Sequence, residues 1–272
     1  MKYVVAVSGG VDSMVLLDMM SRIGGHDIVV AHFDHGIRSD SADDADFVRQ
    51  VAMQYDFPFE TQRVELGEAA SEESARIHRY TFLHEVAGRH DAQLVTAHHA
   101  DDVIESIAIN VSRGTGWRGV AVMDAPIDRP LLSTSKQSIL QYARERNVSW
   151  REDSTNASDA YLRNRLRRKL AALPVEHKRA LGELHQQQKV LKTKIHEEIA
   201  ALVGEGPEYG RYFFLTIPKP VALECLRYVT EGRLTRPQCE RLLVAIKTAA
   251  AGAVYEAGSG IRIRFTTRNF SL

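Results

Sequence analysis

Apolar and polar positions switch between two periods along the first 130 residues. YVVAV (3–7) is a short apolar run, and DSMVLLDMMSR (12–22) then repeats its apolar residues at helical spacing. DIVVAHF (27–33) is the next apolar run. SADDADFVRQVAMQYD (41–56) opens with a Ser/Asp cap and puts Phe47, Val48, Val51, Ala52 and Tyr55 in helical register. FETQRVEL (59–66) alternates as a strand and SEESARIHRYTFLHEVAGR (71–89) reads as a helix. AQLVTAHH (92–99) is a predicted strand and DDVIESIAINVSR (101–113) a helix. Such alternation predicts an α/β fold with a parallel, Rossmann-like sheet of right-handed crossover units. Ligands of these sheets lie beyond the C-terminal strand ends. SGGVDS, HFDHG and AHHADD each follow a predicted strand, so three segments are expected on one rim.

The character changes after residue 130. SKQSILQYARERN (135–147) and the long charged stretch 173–204 read as helices, the second as an arm or linker. RYFFLTI (211–217) is predicted as a strand, RPQCERLLVAIKTA (236–249) as a helix, and 253–265 as a hairpin turning at Gly258-Ser259-Gly260. The expected organisation is a catalytic domain over 1–172, a helical linker over 173–204 and a small α+β domain over 205–272.

The 272 residues carry a formal charge of zero, and the zero conceals an asymmetry. Residues 1–160 hold 15 Lys/Arg and 25 Asp/Glu, a net −10; residues 161–272 hold 20 and 10, a net +10. YLRNRLRRKL (161–170) concentrates five positive charges in ten residues. Alone, a basic helix is a solvated face. Paired with an acidic half bearing anion-binding loops, it points to RNA phosphates. Cys225 and Cys239 form neither a disulfide framework nor a CxxC metal site, which favours a reducing compartment. No run approaches the roughly 18 apolar residues of a membrane helix, and the N-terminus has no signal-peptide pattern, so a cytoplasmic protein without membrane contact is expected.

SGGVDS (8–13) has the physics of a phosphate loop without the lysine of GxxxxGK[ST]. Its glycines allow close backbone approach, and the helix that follows offers unpaired N–H groups. Asp102 and Glu105 stand i and i+3 near a helix start. Carboxylates there complement the dipole, and beside a phosphate site they also suit Mg²⁺ or a substrate ammonium. The histidine pairs at 32/35 and 98/99 lack the further partners zinc needs. Arg76 and Arg79 lie on adjoining helix faces, as phosphate clamps or as surface arginines. GTGWRG (114–119) follows a helix, which rules against a dinucleotide loop and leaves Trp117 and Arg118 to stack on or grip RNA.

SGGxDS after a first strand resembles the pyrophosphate-binding loop of the PP-loop ATP-pyrophosphatases. The resemblance implies cleavage of ATP between its α and β phosphates. Ser8, Gly9, Gly10, Val11 and Ser13 would hold the polyphosphate, Asp12 would position Mg²⁺, and the loop with His32 and Phe33 would cover adenine and ribose. The ordered set SGGVDS, HFDHG, TAHHADD, RGTGWRG, RPLL (129–132) and WREDSTNASDAYLRNRLRRKL (150–170) is similar to the tRNA(Ile)-lysidine synthetase family over residues 3–170. That likeness implies a two-step ligation of L-lysine to C2 of the wobble cytidine of a tRNA(Ile) with a CAU anticodon, using ATP. Asp12, Asp102, Glu105, Arg76 and Arg79 are then the expected catalytic residues, and Asp12 and Asp102 the expected Mg²⁺ ligands. Arg118, Arg163, Arg165, Arg167 and Arg168 are the expected RNA contacts, 205–272 the tRNA-binding domain, and a homodimer is suggested by relatives.

Two positions depart from the family pattern: Asp34 replaces a usual Asn, and Lys136 stands where Arg is common. A tRNA thiolase is the rival within the superfamily, but thiolases of this kind use paired cysteines, and the first 224 residues contain none. A small-molecule amidotransferase or synthetase would leave the basic half unexplained. A non-catalytic RNA-binding module would have no use for Asp12, Asp102 and Glu105.

Overall fold

The computed structural model describes residues 1–36, 41–65, 67, 72–152, 162–204 and 206–272. EDSTN from residue 153 onward, and the side chain of Arg163, lie outside the described residues. The chain forms two compact units, 1–189 and 190–272.

The N-terminal unit is built on four parallel strands: β1 (Lys2–Ala6), β2 (Asp27–Asp34), β3 (Phe59–Arg63) and β4 (Gln93–Val95), in spatial order β3-β2-β1-β4. Tyr3 pairs with Ile28 of β2 on one side and Gln93 of β4 on the other, so β1 is central. Both sheet faces are covered, which is why β1 and β2 are unbroken apolar runs rather than alternating ones. Val5, Val30 and Val95 join a core with α1 (Val11–Ile23), α2 (Ser41–Gln54) and α5 (Lys136–Glu145). Val4, Val29 and Leu94 point the other way, against Phe82, Leu83 and Val86 of α3 (Glu72–His90). The strand order reverses between β1 and β4, and such a reversal opens a crevice at the C-terminal strand ends. The remaining helices of this unit are α4 (Ala100–Ser112), α6 (Leu162–Ala171) and the start of α7 (Val175–Val203).

Asp18 on α1, 3% exposed, ties the helical layer together. It accepts from Tyr55 Oη at 2.9 Å, Tyr142 Oη at 2.9 Å and Arg22 Nε at 2.8 Å. Burial pushes its carboxyl upward, but these donors outweigh burial and hold it below the ordinary carboxylate value.

The C-terminal unit has an antiparallel sheet in the order β5-β8-β7-β6: β5 (Glu208–Gly210), β6 (Val254–Gly258), β7 (Ile261–Phe265) and β8 (Asn269–Ser271). The hairpin turns where expected, with Gly258, Ser259 and Gly260 all at positive φ. Gly258 has φ +106°, a backbone conformation that glycine adopts without strain and L side chains rarely do. RYFFLTI corrects the reading of its pattern. Residues Arg211–Thr216 form a short helix, α8, and the strand lies just before it. A short, mostly apolar segment fits either form, and tertiary contacts decide. Here Phe214 is buried and the Arg211 guanidinium donates to the carbonyls of Ile246, Ala249 and Thr266. The unit also holds the end of α7, whose Ile199 joins its core, with α9 (Lys219–Val229), not anticipated from the pattern, and α10 (Arg236–Thr248). Among the described residues, no helix is long and apolar enough to cross a membrane.

Candidate active site

β1 ends in a turn that only glycine makes without strain. Gly9 has φ +88°, Gly10 caps α1 from an extended conformation, and the chain enters the helix at Val11. The two serines lock this turn. Ser8 N–H donates to Ser13 Oγ at 3.1 Å, and Ser13 Oγ donates to the Gly10 carbonyl at 2.9 Å. His32 braces it from beneath: its Nδ1 lies 2.8 Å from the Val7 carbonyl, and burial lowers its pKa, favouring the neutral ring. Beyond the turn opens a cleft of about 2100 Å³, lined by Ser8, Gly10, Asp12 and Ser13 together with residues of α3 to α7. It exceeds the ~300–1,000 Å³ of a small-molecule pocket, which leaves room for a second, larger substrate.

Carboxylates from two helix starts meet cations from three other helices in this cleft. Asp12 of α1 holds Lys136 Nζ at 2.6 and 2.8 Å. Asp101 of α4 accepts Lys136 N–H at 2.9 Å and Lys178 Nζ of α7 at 2.9 Å. Burial raises the Asp101 carboxyl, but these donors prevail and hold it low. Glu105, 2% exposed, takes a forked pair from Arg167 of α6, with Nε at 2.7 Å and Nη2 at 3.2 Å. Asp102 Oδ2 accepts the His99 N–H at 3.0 Å, fixing the start of α4. The His99 ring lies between the two acidic segments, its Nε2 3.7 Å from Asp12 and 3.5 Å from Asp102.

Further cations line the same cleft. Arg76 and Arg79 line the cleft, with their guanidinium carbons 4.7 and 5.5 Å from the Tyr80 ring centroid. His98 Nδ1 lies 2.8 Å from Thr96 Oγ1. Its pKa is pushed down to about 4, first by burial and further by Arg129, Arg76 and Arg79, against the pull of Asp102. Arg129 donates through Nη1 to the Met123, Ala125 and Ile127 carbonyls and so braces the loop beside β4.

The PP-loop domain family matches residues 1–173. The tRNA(Ile)-lysidine synthase of Exiguobacterium sibiricum is 37% identical over 201 residues, 71% of this chain and 48% of the relative. That of Thermotoga maritima is 30% identical over 287 residues, 98% of this chain and 68% of the relative. The chain belongs to the tRNA(Ile)-lysidine synthase family of PP-loop proteins. It spans about half the length of several curated relatives it matches. A solved structure, the U34-tRNA thiolase NcsA from Methanococcus maripaludis with its 4Fe-4S cluster, shares the fold at TM-score 0.58 and 18% identity, covering 70% of this chain and 72% of that one.

Within this family fold, the expected residues divide into three groups. Ser8, Gly10, Asp12, Ser13, Phe33, Arg76, Arg79, Asp102, Glu105 and Arg167 share the one cleft. Gly9, Val11 and His32 support it: the Gly9 carbonyl accepts Arg151 N–H at 3.0 Å, Val11 packs into the core, and His32 is buried under the loop rather than lining the cleft. Arg118, stacked 4.6 Å from the Trp117 ring centroid, and the exposed Arg165 and Arg168 lie outside it. Both cysteines are buried and free in the C-terminal unit's core, where burial pushes the Cys225 thiol up to about 11.

The departures have local explanations. Asp34 keeps the turn an Asn would make, accepting Gly36 N–H at 2.9 Å through Oδ1, and its charge is met by Arg63 at 3.1 Å. Lys136 is the cation on Asp12. Sequence reasoning missed Lys178, which reaches Asp101 across 77 residues with no local signal.

Proposed function

We propose that the chain ligates L-lysine to C2 of the wobble cytidine of a tRNA(Ile) with a CAU anticodon, in the cytoplasm. The observation that carries this reading is the convergence of Asp12 and Asp102 on His99 Nε2, beneath a glycine turn at the reversal of strand order. The C2 oxygen of cytidine attacks the α-phosphorus of ATP; an O–P bond forms and the bond to pyrophosphate breaks. The lysine ε-amine then forms the C2–N bond, AMP leaves with the oxygen, and the ammonium proton is lost. Backbone N–H groups at the start of α1, with Ser8 and Ser13, suit the leaving pyrophosphate. Arg76 and Arg79, lining the same cleft, suit the same developing charge.

The residues fit a magnesium-bound triphosphate. Lys136 Nζ between the Asp12 oxygens is a stand-in cation at 2.6 and 2.8 Å. Among the described residues no group of three or more His, Cys, Asp or Glu side chains is set to hold a metal. Magnesium needs only one or two carboxylates when phosphates and water complete its shell, so Asp12 and Asp102 suffice. Bound there, it would neutralise charge on the leaving phosphates. Glu105, with Asp102, offers the carboxylate that receives the substrate ammonium and aids its deprotonation. Arg165 and Arg168 of α6, and Arg163 beside them in the sequence, supply phosphate contacts. We further propose 205–272 as a tRNA-binding domain, supported by Arg262 and Arg264 on the exposed side of β7.

The test is direct. Purified protein, Mg·ATP, labelled lysine and a CAU-anticodon tRNA(Ile) transcript should give lysine-labelled RNA. Equal labelling when the wobble cytidine is replaced by uridine would refute the chemistry.

A further inference from the structure

Arg167 sits where the amine reading needs a vacancy. Its guanidinium forks onto Glu105 at 2.7 and 3.2 Å and reaches within 3.9 Å of Asp102 Oδ1. It is the same carboxylate pair to which the proposed reaction assigns the substrate ammonium. The Glu105 side chain is 2% exposed, whereas that of Arg167 is 44% exposed. One partner is thus fixed in the protein and the other comes in from the surface on α6, a helix whose neighbouring side chains are Arg165, Arg168 and Lys169. His99 lies in the same cleft, its Nε2 3.5 Å from Asp102 Oδ2, and Asp102 Oδ2 accepts the His99 backbone N–H at 3.0 Å, so Asp102 is held by the protein as well.

We infer that Arg167 is the resident occupant of the amine subsite, holding Glu105 until a substrate ammonium exchanges for it; this rests on the lysine reading above. The physics is that of a buried ion pair. Removing one partner strands a desolvated charge, so the site is never left without a cation. A primary ammonium and a guanidinium both satisfy a carboxylate, but only one fits at a time. Once displaced, the Arg167 guanidinium joins the basic face of α6 and is available to RNA phosphates. Amine and polyanion therefore pull the same switch, and their affinities rise together by a common factor, as linkage requires.

Isothermal titration of L-lysine into the full chain tests this, with and without a CAU anticodon stem-loop RNA. The unaltered chain should bind lysine more tightly when RNA is present. Arg167→Ala should bind lysine on the order of tenfold tighter without RNA, within the ~5–150-fold range of such couplings, and should gain nothing from RNA. Methylguanidinium should compete with lysine in Arg167→Ala by refilling the subsite. Arg167→Lys, which keeps a cation but loses the fork, should fall between and serves if the alanine variant does not fold. Lysine affinity that is unchanged or weaker in both variants overturns the inference while leaving the reaction intact. Absence of lysine binding in the unaltered chain, with RNA and ATP supplied, removes the amine subsite itself and with it both readings.

Discussion

Lys136 Nζ meets both carboxylate oxygens of Asp12, at 2.6 and 2.8 Å, across 124 residues of chain. The pair joins the first residues of α1 to the first of α5 and puts a cation beside the glycine turn before any nucleotide arrives. Asp12→Asn keeps the shape and removes the charge that a divalent ion needs. AMP formation should fall by about 10²–10³-fold, the usual cost of one lost electrostatic contact to a reacting group. RNA affinity should stay within twofold, because phosphate contacts come from basic residues elsewhere. Measuring both on one preparation separates the effects, and undiminished AMP release would remove Asp12 from the mechanism.

Gly9→Ala tests the turn itself. An added Cβ would meet only Val48 Cγ2 at 3.5 Å and Phe47 Cδ1 at 3.7 Å, ordinary contact distances. The penalty therefore comes from the backbone at φ +88° and should be about 1–2 kcal/mol. Nucleotide affinity should drop while the core stays folded. A crystal of the variant with the turn unchanged and full ATP affinity would contradict this.

Asp18 predicts an acid limb in stability. Its folded-state pKa lies below the ordinary 3.8, so its contribution is complete above that value and disappears as pH falls through the depressed one. Asp18→Asn should cost the N-terminal unit about 1–3 kcal/mol at pH 7, the range for stranding buried hydrogen-bond partners. In urea unfolding, the gap between variant and unaltered chain should narrow as pH falls from 5 to below 3. A gap independent of pH would show that shape alone matters.

Arg165→Ala should weaken RNA binding evenly across sequences and lower the slope of log K against log salt by about 0.7–0.9, one phosphate contact. An unchanged slope would reassign the residue.

Much of the fold was legible because both faces of the parallel sheet are buried, which made β1 and β2 continuous apolar runs bounded by glycine turns. The convergence of SGGVDS, HFDHG and AHHADD on one rim followed from that topology. The RYFFLTI stretch misled because a segment this short carries no period long enough to separate strand from helix; Arg211, bound to three carbonyls, settled it in the folded chain. Asp12, Asp102 and Glu105 could be read from their place after strands and at helix starts. Their counter-cations could not. Lys136 and Arg167 lie 124 and 62 residues from Asp12 and Glu105, and Lys178 lies 77 residues from its partner Asp101, so only tertiary structure brings them together. His32 read as a ligand residue from its loop, yet it lies within β2, which runs two residues past it to a buried Asp34, and its ring turns inward to the Val7 carbonyl.

The central claim is that the glycine turn holds a departing diphosphate while the wobble base takes the adenylyl group. Incubating the protein with CAU-anticodon tRNA(Ile) and ATP labelled at the α-phosphate, without lysine, reads this directly. Label should pass to the RNA as pyrophosphate appears, and added lysine should release it as AMP. ADP and inorganic phosphate as the products, with no label on the RNA, would contradict the account.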